Sequence, residues 1–200
     1  MTIIPNADNI LHLDFETTGF MDNPNTVVLE GAAIITDGEL NELAVLEGIA
    51  IHATEEELSH MGQFVLDMHT KTGLLDRVRA SDVSRTHFDD VLHAFAAPYF
   101  PDKGTTLPDG SKYRGIVISG NSVKFDFDVI SKFFIRTRST MDYRVIDISG
   151  LGELAHRWDR VGWEAMPAKL SDHTALTDIR EGVKELRYYR TRLGHMTGRL

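Results

Sequence analysis

Asp14 and Glu16 stand two residues apart at the end of an apolar run, in the segment LHLDFETTGF. On a strand both carboxylates point to one face. Like charges held that close are costly unless a cation or a shared proton neutralises them. Further along, Asp126 closes SGNSVKFD, and His173 and Asp178 stand in SDHTALTD. The histidine offers a proton acceptor beside a candidate ligand. Four acids and one imidazole of this kind suit hydrolysis of a phosphodiester between two divalent cations, with Asp14, Glu16, Asp126 and Asp178 as metal ligands and His173 as base.

Each residue has a plainer reading. Seen alone, two acids at an exposed strand end are about as common as a functional pair. Leu11, Leu13 and Phe15 alternate with the acids, however, which makes the strand interior. Carboxylates on a buried face demand a counter-charge. Asp178 could simply complement a helix dipole, but it lies on a stripe with Ala175 and Gly182, small neighbours that let a helix approach closely. Asp126 has a rival in Asp128, and spacing alone does not choose between them. Gly120-Asn121-Ser122 supplies amides and a hydroxyl at the same helix start, where a phosphate could be held. His12, His52, His69, His87 and His93 read as ordinary surface or core histidines on these grounds.

The elements that must position these groups follow from periodicity and turn chemistry. Residues 10–15, 26–36 and 40–53 predict three antiparallel strands, with Asp37-Gly38 as a hairpin signal. Thr54 followed by Glu57 is a capping box. Asp82 or Ser84 opens a helix whose apolar positions are Phe88, Val91, Leu92 and Phe95. A proline-, glycine- and charge-rich segment, 101–115, predicts a surface loop inside the domain. A strand over 115–119, a helix over 123–135, a strand over 143–148 and a helix over 151–158 follow. Leu176, Ile179, Val183 and Leu186 mark the last helix. The expected fold is α/β, a mixed five-stranded sheet with helices on both faces, in one domain spanning 1–200.

Composition narrows the function classes. With 200 residues, 42 % of them hydrophobic and 26 % charged, the chain has the balance of an ordinary globular domain. It has no cysteine, so the available metal chemistry is that of oxygen ligands and hard cations such as Mg²⁺ or Mn²⁺. No apolar stretch is long enough to span a bilayer, and MTIIPNADN lacks the features of a signal peptide. These features imply a soluble cytoplasmic protein with no membrane partner. The net charge of −9 argues against tracking long or duplex nucleic acid by counterion release, and permits a small anionic substrate.

Together the segments resemble the DEDDh exonucleases, whose RNase H-like domain carries Asp-x-Glu, a middle Asp and His-x₄-Asp. Residues 61–81, 119–126, 142–158 and 171–190 narrow the resemblance to the oligoribonuclease family, with HTKTGL, YRVIDIS and HTALTDIRE its most specific strings. The resemblance implies 3′→5′ hydrolysis of short single-stranded RNA, dinucleotides especially, with two divalent cations and a homodimeric enzyme. It selects Asp126 over Asp128. It assigns Ser122, Arg144 and Ser149 to the far phosphate of a dinucleotide and Phe64 to base stacking. It matches His69 to a family histidine, Phe20 to the wedge position, and Tyr143 to a residue entering the neighbouring subunit's site. Phe20 and Phe64 depart from the usual leucine and tryptophan, and the 101–115 loop is longer than the family requires. A broader DNA or RNA exonuclease of the proofreading type is the competing expectation. A nucleotide-binding domain without catalysis is a third, weakened by the presence of all five site residues.

Overall fold

The structure, a computed structural model, describes residues 3–167 and 174–196. Its sheet has five strands in the order β3-β2-β1-β4-β5. They are β1 (Ile10–Thr17), β2 (Val28–Thr36), β3 (Glu42–Ala50), β4 (Ile116–Gly120) and β5 (Met141–Asp147). β1, β2 and β3 pair antiparallel, whereas β4 runs parallel to β1 and β5 parallel to β4. The expected mixed sheet is therefore present, and its arrangement is RNase H-like.

Alternation along β1 sorts its side chains between two cores. Leu11, Leu13 and Phe15 join Phe88, Leu92 and Phe134 on one face of the sheet. On the other, Ala32 and Ile34 pack with Ile179 and Val183. Asp14 pairs in register with Ala32, so the acidic edge of β1 belongs to that second face. The helices in chain order are α1 (Glu55–Leu58), α2 (Gln63–Lys71), α3 (Leu74–Ala80), α4 (Arg85–Ala96), α5 (Lys124–Phe133), α6 (Ile135–Thr140), α7 (Ile148–Trp158), α8 (Arg160–Glu164) and α9 (Ala175–Met196). Residues of α4 and α5 fill the first core, and those of α7 and α9 the second. Among the described residues no helix is long and apolar enough to cross a membrane.

Local chemistry explains where elements start and stop. Thr54 forms the expected capping box with Glu57 ahead of α1, and the Ser84 side chain accepts from the His87 amide to cap α4. The third strand is shorter than expected because Leu40 adopts a left-handed φ of 68° in the turn before it. The helix over 123–135 stops at Phe133. The Phe134 backbone leaves helical geometry (φ −124°, ψ 65°) and its ring is fully buried, so α6 starts afresh after it. Asp147 accepts from the Gly150 amide and starts α7 three residues before the expected Leu151. The 101–115 segment is mostly exposed turn structure tied by one Thr106–Lys112 bridge, with Tyr113 buried beneath it.

Candidate active site

At the end of β1 the structure gathers the acids. One carboxylate oxygen each from Asp14, Glu16 and Asp178 lies within 4.8 Å of the other two. Asp14 and Glu16 share a face because they are two apart on a strand. Asp178 arrives from the first turn of α9, where its amide donates to the Thr174 carbonyl (3.0 Å). Gly182, one turn later, lets α9 close on the site. A Cβ there would stand 2.9 Å from Asn121 Oδ1 and 3.2 Å from Ile148 Cδ1.

Asp126 comes from the first turn of α5 and is 3 % exposed. Its Oδ1 is buried without a hydrogen-bond partner. Asp128 instead lies at the surface with Lys124 Nζ 2.6 Å from its Oδ1. Burial thus separates the two candidates that spacing could not.

The electrostatics follow from packing acids with little water. Burial, then the charges of Asp126, Glu16, Asp178 and Glu30, holds the Asp14 carboxyl well above the usual range. Burial, then Glu30 and Asp178, pushes Glu16 up to about 7, although Arg77 opposes it. Burial raises Asp126 to about 8 against the backbone hydrogen bonds that favour its ionised form, with Glu16 and Asp147 adding to the rise. Such a cluster takes up either protons or cations. An all-oxygen donor set, together with an orphaned buried carboxylate oxygen at Asp126, fits a hard divalent cation.

Glu30 is the residue that the sequence reading missed. It faces Glu16 across the β1–β2 pair, is 3 % exposed and is gripped by both terminal nitrogens of Arg77. Gly48 makes room for it, since a Cβ there would lie 2.7 Å from Glu30 Oε1. The signal was available: Glu30 is the one charged residue inside the apolar strand TVVLEGAAIIT.

The histidines divide. His69 is buried, with Nε2 2.9 Å from the Thr17 carbonyl and Nδ1 4.0 Å from Glu16 Oε2. A carbonyl only accepts, so Nε2 carries the proton and Nδ1 is turned towards Glu16. His12 is buried on the same edge of β1, with Nε2 3.0 Å from Thr36 Oγ1. Burial and the nearby Arg187 lower its pKa to about 4, which keeps it neutral. His173 lies outside the described residues.

Of the groups expected at the far phosphate, Ser122 and Ser149 come together. The Ser122 amide donates to Ser149 Oγ (3.0 Å) and the two hydroxyls are 3.4 Å apart. Arg144 instead lies over the Tyr143 ring, 4.5 Å from its centroid, and beside Asp142. Phe20, Phe64 and Tyr143 are at least 70 % exposed, open to a ligand or a partner.

A thermal test follows from the raised carboxyls. Their folded-state pKa values exceed the unfolded ones, so in metal chelator the cluster's contribution to stability is full at acid pH and lost as pH rises through about 7 to 8. His12 works in the opposite sense, but only as pH falls from about 6.5 through about 4. Melting curves above neutrality therefore isolate the acids. The Tm of the metal-free protein is expected to fall between pH 7 and 8.5, and Mn²⁺ to raise Tm more at the higher pH. A Mn²⁺ increment independent of pH would mean that protons and cations do not share this site.

A family model described as RNase_T, Exonuclease, matches residues 11–186. An oligoribonuclease of Corynebacterium diphtheriae is 35 % identical over 189 residues, 94 % of this chain and 85 % of that one. An oligoribonuclease of Francisella tularensis subsp. novicida is 34 % identical over 188 residues, covering 94 % and 97 %. Among solved structures, E. coli exonuclease I in complex with a dA16 oligonucleotide aligns with a TM-score of 0.67 at 17 % identity. That alignment covers 96 % of this chain but 42 % of exonuclease I, so the chain spans less than half of that protein. The match to the exonuclease model across the acid cluster, with full-length relatives of one kind, shows that the chain belongs to the oligoribonuclease family of 3′–5′ exonucleases.

Proposed function

We propose that this chain, a single domain over 1–200, is a homodimeric 3′–5′ exoribonuclease that hydrolyses short single-stranded RNA, dinucleotides above all, to nucleoside 5′-monophosphates. The observation that carries the chemistry is the convergence of Asp14, Glu16 and Asp178 within 4.8 Å. Asp14, Glu16 and Asp178 would hold one cation, Mg²⁺ or Mn²⁺, and Asp14 with Asp126 the other. When bound, two such cations stabilise both the attacking and the leaving oxygen of a displacement. His173 takes the proton of the attacking water. Ser122 and Ser149 offer hydroxyl donors to the far phosphate, and Arg144 adds a charge-assisted contact. Phe64, 80 % exposed, offers a ring for base stacking, and Phe20, 79 % exposed, takes the wedge position. A pocket closed at its far phosphate limits substrate length, and a chain of net charge −9 has no need of a basic track.

Exposed apolar residues support the dimer. β5 is a sheet edge, and Tyr143 and Val145 on it are exposed, as are Leu154, Trp158 and Val161 on α7 and α8. Exposed apolar residues on an unpaired edge favour association. Trp158→Glu is expected to yield a monomer by light scattering, with activity lost alongside Tyr143's entry into the neighbouring site. A fully active monomer would remove the dimer from the mechanism.

A broader exonuclease is the second reading, favoured by the single-stranded DNA complexes of exonuclease I, to which the fold is similar. Cleavage of a dinucleotide and of a long oligonucleotide, each as RNA and as DNA, separates the two. The proposal expects kcat/KM to be highest on the RNA dinucleotide. Equal or better cleavage of the long DNA would replace it with the second reading.

A further inference from the structure

The 101–115 loop ends against the start of β5, and a glycine is what lets it. Gly115 has φ +120°, and a Cβ there would lie 2.5 Å from the Thr140 carbonyl and 2.7 Å from the Met141 carbonyl carbon. Lys103 fastens the other end of the loop, donating to the Met141 carbonyl at 2.7 Å. This close approach brings Arg114 to Asp142. The Asp142 side chain is 2 % exposed. Its Oδ1 accepts from the amides of Tyr143 (2.7 Å) and Arg144 (3.1 Å). Its Oδ2 faces two cations, Arg114 Nε at 3.3 Å and Arg144 Nη1 at 3.6 Å.

One buried carboxylate oxygen therefore holds two arginines whose side chains remain 62 % and 45 % exposed. Arg144 is parked on Asp142 and the Tyr143 ring, while the two serines expected to share its phosphate pair with each other. A phosphate held by the two serines would compete with Asp142 for the Arg144 guanidinium. If that guanidinium were the only cation there, its departure would strand a buried charge, which is strongly unfavourable. A second arginine on the same oxygen removes that obstacle.

We propose that Arg114 is a positioning residue for substrate binding: it keeps buried Asp142 neutralised, so that Arg144 is free to exchange that carboxylate for the terminal phosphate of the RNA. The two amides on Oδ1 belong to the same arrangement, since they keep the carboxylate oriented whichever arginine is present. Although burial alone would raise the Asp142 carboxyl, those amides and the two guanidinium charges hold it below its ordinary value, so it remains an anion. The inference rests on the reading of Arg144 as a phosphate ligand and adds to it the residue that releases it.

Steady-state kinetics of the full chain on 5′-phosphorylated and 5′-hydroxyl RNA dinucleotides test this. Arg114→Ala is expected to raise KM for the phosphorylated substrate roughly fivefold, with kcat and the 5′-hydroxyl substrate little changed. Adding Asp142→Asn to Arg114→Ala removes the charge that retains Arg144 and is expected to restore KM. Arg114→Lys keeps a cation there and is expected to stay near the parent. Melting temperatures identify any variant that is merely misfolded; should Arg114→Ala be one, Arg114→Gln takes its place, a phosphate-specific rise in KM supporting the proposal and an unchanged KM overturning it. An unchanged KM for folded Arg114→Ala, or an equal loss on both substrates, overturns the role of Arg114 while leaving Arg144 in place. If Arg144→Ala itself shows no phosphate-dependent effect, the terminal-phosphate reading fails, and this proposal fails with it.

Discussion

Replacing Asp14 by asparagine is expected to abolish turnover and, in metal chelator, to stabilise the protein. Both outcomes come from the same geometry. Asp14 is the carboxylate common to the two cation positions proposed, and its oxygen lies within 4.8 Å of those of Glu16 and Asp178. Residues that only support metal ligands typically cost about 10–100-fold when lost, so a ligand shared by both cations is expected to cost on the order of 10³-fold or more. Without metal the same side chain is a liability, half-buried and surrounded by Asp126, Glu16, Asp178 and Glu30. Asparagine keeps the shape and removes the charge, so the chelated variant is expected to melt a few degrees higher at pH 8 while losing its Mn²⁺-dependent increment. The parent's increment reflects binding to the folded state alone. Retained activity would remove Asp14 from the chemistry. A lower metal-free Tm would mean that the carboxylate is structural, with a counter-charge of its own.

Stabilisation on losing a charge, in chelator, would mark a cluster whose repulsion a bound cation offsets. Glu30 and Arg77 sharpen the point. A second carboxylate opposite Glu16 is tolerable because Arg77 neutralises it, and that guanidinium also restrains Glu16 from rising further. Asp14, Glu16 and Asp178, by contrast, bring one carboxylate oxygen each within 4.8 Å of the other two. The buried pair behind them and the open cluster in front are different solutions to the same problem of burying carboxylates.

Much of this was legible in the sequence because local rules govern it. Alternation in β1 put Leu11, Leu13 and Phe15 in the core and both acids on the other face, and the structure follows it. The cap at Thr54 is a short-range hydrogen bond between neighbours, so the residue types announce it, and at α4 they narrow the cap to Asp82 or Ser84, of which the structure uses Ser84. The stripe of Ala175, Asp178 and Gly182 indicated how α9 meets the sheet, and the near-contact of Gly182 with Asn121 bears that out geometrically. What the sequence withheld depends on distant partners. Asp126 and Asp128 differ in burial, which α5 acquires only on packing against β1. The break at Phe134 comes from a ring that fills the core between Phe15 and Phe88, and no periodicity in the helix foretells it. Arg77 and Glu30 are 47 residues apart in sequence, and Arg114 reaches Asp142 only because a glycine admits the loop.

Replacing His173 by alanine is expected to lower kcat by about 10²–10⁴-fold, the usual worth of a positioned general base, with KM changed little. Its place in the chain gives the reason. Thr174 receives the Asp178 amide at the start of α9, and Asp178 carries one corner of the acid cluster. In sequence His173 immediately precedes Thr174 and stands five residues before Asp178. The pH profile is the discriminating readout. A general base acts in its neutral form, so kcat of the parent should rise with pH along a lower limb carried by the imidazole. In His173→Ala that limb should vanish, leaving only the rise from cation loading of the carboxylates, which titrate higher at about 7 to 8 without metal. Saturating Mn²⁺ shifts the second limb to lower pH and leaves the first where it is. If His173→Ala keeps the lower limb, the proton goes to another group, and His69, with Nδ1 turned to Glu16, is the next imidazole to test.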